Sequence, residues 1–308
     1  MTRRWVHLAL AAATLAVLVW RLGAGPFLDG LRTVDGEALA AASGLAVLTT
    51  VCCAWRWRIV ARGLGVDLPL GTAVAAYYRS LFLNVTLPGG VVGDVHRGFS
   101  HGRDTSDVGR GLRAVAWERS AGQIVQVVLT VAVLLVVPSP VRGVMPLVAL
   151  ALLAVAAGLA MAARVRPAAG RSGWTRLRNA AARDLRDALL ARRAWAAIAL
   201  ASALVVAGHA ATFLIAARSA GATAPPSQML PLALLVMSAA ALPNVGGWGP
   251  REGVTAWAFA AAGLGASLGV ATAVVYGVMV FVASLPGAAV LVAAELGVPA
   301  RWDGVPDV

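Results

Sequence analysis

Lysine is absent from the 308-residue sequence, and charge of any kind is scarce: 13% of residues are charged, with 14 acidic residues set against 26 arginines. A soluble domain carries about 25% charged residues, so a water-soluble globule is excluded. The missing lysine reads as a coding bias. It also leaves every glycine-rich run without the Gly-Lys-Ser/Thr of a phosphate loop, so ATP binding has no support. Only two cysteines occur, Cys52 and Cys53. Adjacent cysteines rarely bridge and make no metal site, so they define no redox compartment. His96 and His101 near Asp94 and Asp104 have only generic spacing for a ligand set. No Ser/His/Asp or Cys/His constellation stands out. The sequence therefore points to no metal, no cofactor and no catalytic residue.

What the chain has instead is apolar length: 59% of its residues are hydrophobic and its mean hydropathy is +0.79. A spanning helix needs ~20 apolar residues. Six runs qualify: Trp5–Trp20, Ala38–Trp55, Ser120–Val137, Gly143–Ala163, Ala194–Ala217 and Ser267–Ala294. The first follows Arg3 and Arg4 and ends in Trp20-Arg21 without a small-x-small cleavage pattern, so it reads as an uncleaved span. The last contains Pro286 and is expected to tilt or kink.

Two further apolar stretches break in the middle. Gly71–Val92 carries Tyr77, Tyr78, Arg79, Asn84 and Thr86 and stops at Pro88-Gly89-Gly90. Met229–Leu242 would be about 21 Å long as a helix, short of a ~30 Å hydrocarbon core. It breaks at Pro243-Asn244-Val245-Gly246-Gly247-Trp248-Gly249, and Pro250–Ala262 follows. Each reads as a re-entrant helical hairpin, the first near 71–104 and the second near 229–262.

Arginine placement supports that reading. With both hairpins returning to the side they came from, 19 of the 26 arginines fall on the inner side, nine of them between Arg164 and Arg193. A spanning Gly71–Val92 would move those nine outside, against the positive-inside tendency. The net charge of +12 is therefore topological and implies no nucleic-acid partner. The expectation is an all-α polytopic protein forming one membrane domain over 1–308. A first half, 5–163, and a second half, 194–295, are joined by the basic cytoplasmic loop 164–193, and both chain ends lie inside. Breaks in opposite leaflets raise an inverted repeat as a hypothesis. The loop is first a topology determinant. The stripe Trp174, Leu177, Ala181, Leu185 and Ala188 also fits an interfacial helix on anionic lipid.

Ionisable groups at membrane depth are candidates for function, because each costs about 2.5–3.5 kcal/mol on insertion scales. Glu118 and Arg119 precede the third span, and Arg119, Gln123 and Gln126 share one helical stripe. In the first break, Pro88 stops the entering helix and Gly89, Gly90 and Gly93 allow a tight turn. Asp94 is placed to cap the returning helix, with Arg97 one turn further in, positioned to pair with Asp94 or with a phosphate. In the second break, Gly246, Gly247 and Gly249 precede Pro250 at a helix start. Its free amides and Arg251 would suit a phosphate, and Glu252 is favourably placed near the same dipole end. The competing reading is structural: the glutamines as helix-to-helix glue, and Arg251 and Glu252 as a clasp on the opposite hairpin. The sequon Asn84-Val85-Thr86 lies in a membrane stretch and is read as accidental.

At these breaks the sequence resembles the flippase-like integral membrane family named after the transmembrane region of lysylphosphatidylglycerol synthase. The matching residues are Asn84, Leu87-Pro88-Gly89, Gly93-Asp94 with Arg97, Glu118-Arg119, and Pro243 with Gly246-Gly247-Trp248-Gly249 and Arg251-Glu252. Pro250 stands where the family usually has an aliphatic residue. The resemblance implies movement of a lipid, such as aminoacylated phosphatidylglycerol, between leaflets of the bacterial cytoplasmic membrane. It also implies that aminoacyl transfer belongs to a separate soluble domain, which this sequence, ending at Val308, is not expected to contain. Membrane lipids are the expected partners, with a lipid-modifying enzyme or a second copy of the chain as further ones. Three alternatives stand beside this reading: a membrane-embedded transferase acting on a polyprenyl-phosphate lipid, a small-solute transporter, and a non-transporting anchor for a lipid-modifying enzyme.

Overall fold

The computed structural model describes residues 25–87, 90–164, 184, 192–239 and 249–296. All regular structure among the described residues is helical. A short helix α1 (Gly25–Arg32) precedes α2 (Gly36–Gly63), α3 (Leu70–Thr86), α4 (Val92–Asp104) and α5 (Val108–Val136). A 3-10 turn (Arg142–Val144) then leads into α6 (Met145–Arg164). After the basic segment come α7 (Arg192–Ser219), α8 (Pro226–Ala239), α9 (Pro250–Ala261) and α10 (Ala266–Glu295).

Four of these, α2, α5, α7 and α10, are long and apolar enough to cross a membrane, and they coincide with four of the six expected spans. The expected run Gly143–Ala163 becomes the 3-10 turn and α6, which packs against α5 and leaves Leu147, Leu150 and Leu153 exposed. The expected first span, Trp5–Trp20, lies outside the described residues.

Helix ends differ from the hydropathy runs because capping, not apolarity, sets them. Asp35 accepts from the Ala38 amide and starts α2. Asp107 accepts from the Arg110 amide and starts α5, twelve residues before the apolar run begins. At its other end α2 runs past Trp55 to Gly63, carrying Arg56, Arg58 and Arg62 within the helix. Cys53, Arg56, Trp57 and Val60 share its buried face at i, i+3, i+4, i+7 spacing. Arg56, one residue past the expected end of that span, is therefore inside the protein.

Both broken stretches are helical pairs. α3 packs on α4, and α8 packs on α9. Gly93 lets α4 touch α3: a Cβ there would fall on the backbone carbonyl of Ser80. Gly90, between the two helices, takes a positive φ of 65° that favours glycine. α10 continues through Pro286. At Gly287 it comes so close to α3 that a Cβ would meet the Tyr78 carbonyl.

The order long, short, short, long occurs twice, as α2–α5 and as α7–α10. The two leading helices run antiparallel, since Thr49 lies against Gly208 and Arg56 reaches Ser202 further down α2 but earlier on α7. Their packing is extensive. Asp184, in the basic segment, accepts from Arg113 Nε at 2.8 Å and Trp117 Nε1 at 3.2 Å, tying that segment to α5. The stripe from Trp174 to Ala188 lies outside the described residues.

Candidate functional site

Where α2, α3, α4 and α5 meet, their charged side chains converge. Glu118, on the buried face of α5, has 0% of its side chain exposed. Its Oε1 accepts from Arg56 Nε at 3.0 Å and Nη2 at 2.5 Å, and from the Tyr77 hydroxyl at 3.4 Å. Its Oε2 accepts from Arg97 Nη2 at 3.0 Å. Arg56 spends its remaining terminal nitrogen on Ser202 Oγ of α7, at 2.9 Å. Gly122 makes room for this contact: any Cβ there would lie within 3 Å of the Arg56 guanidinium.

Asp94 is the second carboxylate. It accepts from Ser80 Oγ at 3.1 Å, Asn84 Nδ2 at 2.9 Å, Arg97 Nη2 at 2.9 Å and Arg119 Nη2. The expected capping role falls to another residue. Asn84 Oδ1 accepts from the Gly93 amide at 2.8 Å, so a side chain of the entering helix satisfies the first turn of the returning one. Asp94 instead faces the arginines, and its position in that first turn still suits the helix dipole.

Arg97 is sealed. Its side chain has 0% exposure, and its guanidinium lies 4.4 Å from the Trp57 ring and 4.2 Å from the Tyr77 ring. Those π-faces cover the Nε and Nη1 atoms that have no hydrogen-bond partner among the described residues. In this state Arg97 orders two carboxylates and has no face left for a ligand. Arg119 differs. Its side chain is 46% exposed, at the accessible edge of the cluster. Gln123 is exposed and Gln126 half-buried further along the same helix.

The second group is smaller. Glu252 Oε2 accepts from the Gly249 amide at 2.6 Å, capping α9. Its Oε1 accepts from Arg251 Nε at 2.9 Å and Nη2 at 2.5 Å. Gly249 has a φ of 115°, which leaves the turn to glycine, and Pro250 opens the helix as expected. Arg251 also lies 5.4 Å from the Tyr276 ring, and the Tyr276 hydroxyl is 3.3 Å from His209 Nδ1.

Of the expected residues, the structure gathers Asn84, Gly93, Asp94, Arg97, Glu118 and Arg119 in one cluster and Gly249, Arg251 and Glu252 in another. Gly90 lies in the first turn. Pro88, Gly89, Pro243, Gly246 and Gly247 lie outside the described residues. The sequence reading missed Arg56, Tyr77 and Ser80. The signal for Arg56 was its place in register with Cys53, Trp57 and Val60 on an otherwise apolar helical face.

Apolar helices of membrane-crossing length around a buried ionic core define a multi-pass membrane protein. Residues 4–287 match the family described as Lysylphosphatidylglycerol synthase TM region. The chain belongs to that family. No curated protein matches it.

Proposed function

We propose that the protein is a lipid translocase that takes a phospholipid headgroup at the exposed edge of the first cluster, on Arg119. The observation that carries this reading is the charge balance of the first cluster. Arg56, Arg97 and Arg119 face two carboxylates, Asp94 and Glu118, leaving one cation in excess at its accessible edge. A net positive charge at membrane depth is costly. A phosphate oxygen pair matches the planar fork of the Arg119 guanidinium. The buried pairs hold Arg119 in place, and Asp94 serves as the internal anion that a phosphate would displace.

The proposal includes six crossings, counting Trp5–Trp20 and α6, with α3–α4 and α8–α9 as re-entrant hairpins. The twice-used helix order with antiparallel leading helices supports an inverted repeat, an architecture in which discontinuous helices meet at a substrate site. Both chain ends and the basic segment then lie on the cytoplasmic side of the bacterial inner membrane, with anionic lipid against that segment. The protein moves lipid without modifying it. Asp94, Glu118 and Glu252 act as internal counter-ions.

Lipid retention tests the site. Purified protein measured by native mass spectrometry should carry phosphatidylglycerol in preference to diacylglycerol, which lacks the phosphate. Arg119→Gln should lower phospholipid occupancy at least tenfold with diacylglycerol unchanged. Equal retention of phosphatidylglycerol by wild type and Arg119→Gln would refute the phosphate site.

A further inference from the structure

Beside the charged cluster a narrow, partly open cavity of about 70 Å³ lies between α2, α3, α7 and α10. Its apolar wall is formed by Ala42, Ala46, Leu81, Val85, Met279 and Val280. Three hydroxyls in the wall donate within their own helices. Thr49 Oγ1 donates to the Ala46 carbonyl at 3.1 Å, Thr212 Oγ1 to Gly208 at 2.9 Å and Ser284 Oγ to Phe281 at 2.7 Å. Tyr77 is bonded to Glu118, and His209 Nδ1 to Tyr276. The surface turned to the space is mostly apolar, despite the residue names around it. A site with so few free polar partners favours hydrocarbon over water.

Length and position narrow the occupant further. From Ala42 to Cys53 the cavity follows α2 for about 16 Å, close to one leaflet of a ~30 Å hydrocarbon core. Leu81, Val85 and Val280 are half-buried and form its open edge. At its floor sits Tyr77, whose hydroxyl reaches Glu118. Cys53, in the same wall, accepts from Arg56 Nη2 at 3.7 Å, and Glu118 is the chain neighbour of Arg119. One end of the slot thus abuts the ionic cluster with its excess arginine and the rest is apolar, the complement of an anionic headgroup joined to a hydrocarbon tail.

We propose that this slot holds one acyl chain of a phospholipid whose phosphate is bound at Arg119, so that the tail travels within the protein and not in the surrounding bilayer. The inference rests on the lipid reading of the charged cluster and adds the path of the chain.

The test uses the full chain in nanodiscs containing phosphatidylglycerol with a diazirine on one acyl tail. After illumination, adducts should map to Leu81, Val85 and Val280. They should fall at least tenfold in Ala46→Phe, while adducts on the exposed Leu150 and Leu153 of α6 persist. Ala283→Phe, from another wall, gives the same readout if Ala46→Phe does not fold. Adducts confined to α6 and other exposed faces, or slot adducts unchanged by both substitutions, would overturn the slot. Translocation measured on the same preparations separates the two readings. Slot adducts without transport retain the chain site and refute the translocase, whereas transport without slot adducts does the reverse.

Discussion

Glu118 accepts hydrogen bonds from two arginines on two different helices while wholly shielded from solvent. Removing one partner of a buried ion pair leaves an uncompensated charge, which costs about 3–5 kcal/mol. Glu118→Gln should lower the thermal midpoint in detergent accordingly, whatever its effect on lipid. Arg119→Gln is the contrasting variant. Its pair with Asp94 is exposed at the arginine only, and Asp94 keeps Arg97, Ser80 and Asn84. Its thermal midpoint should stay close to wild type while lipid retention falls. A midpoint as low as that of Glu118→Gln would show that Arg119 is part of the buried clasp and not its accessible edge.

The elements were legible where their composition was extreme. Apolar runs gave the positions of α2, α5, α7 and α10, and Pro88-Gly89-Gly90 marked the break between α3 and α4. The cluster was legible in part: Asp94, Arg97, Glu118 and Arg119 stood out as charges in apolar surroundings. Arg56 did not, because a charge beside an apolar run is indistinguishable from an interface residue until the Asp35 cap and the Gly63 end fix the helix register. The sealing of Arg97 was also out of reach, since it depends on Trp57 and Tyr77 arriving from two other helices. Glycine substitutions test these element contacts directly. Gly93→Ala presses a methyl group on the Ser80 carbonyl and should destabilise by about 1–3 kcal/mol, as overpacking does. Gly44, inside α2, has nothing within 4 Å of an added Cβ. Gly44→Ala should instead stabilise by about 0.5–1 kcal/mol. Thermal unfolding of the two variants in one detergent separates close approach from helix propensity.

For the whole molecule, the α2–α5 and α7–α10 units place their short helical pairs on opposite sides of the membrane if the repeat is inverted. Single cysteines at Arg110 and Arg218, in a Cys52→Ala, Cys53→Ala background, should then label from opposite faces of intact cells. Labelling from the same face would remove the inverted repeat and with it the re-entrant assignment. The central claim is that the half-exposed guanidinium beside the buried cluster moves a lipid headgroup. Its most direct measurement is transfer of headgroup-labelled phosphatidylglycerol and its lysyl form between leaflets of proteoliposomes, with wild type and Arg119→Gln side by side. The account predicts transfer faster than in protein-free liposomes for wild type, reduced at least tenfold in a variant that remains folded. Transfer of neither lipid by wild type, or equal transfer by both proteins, would contradict it.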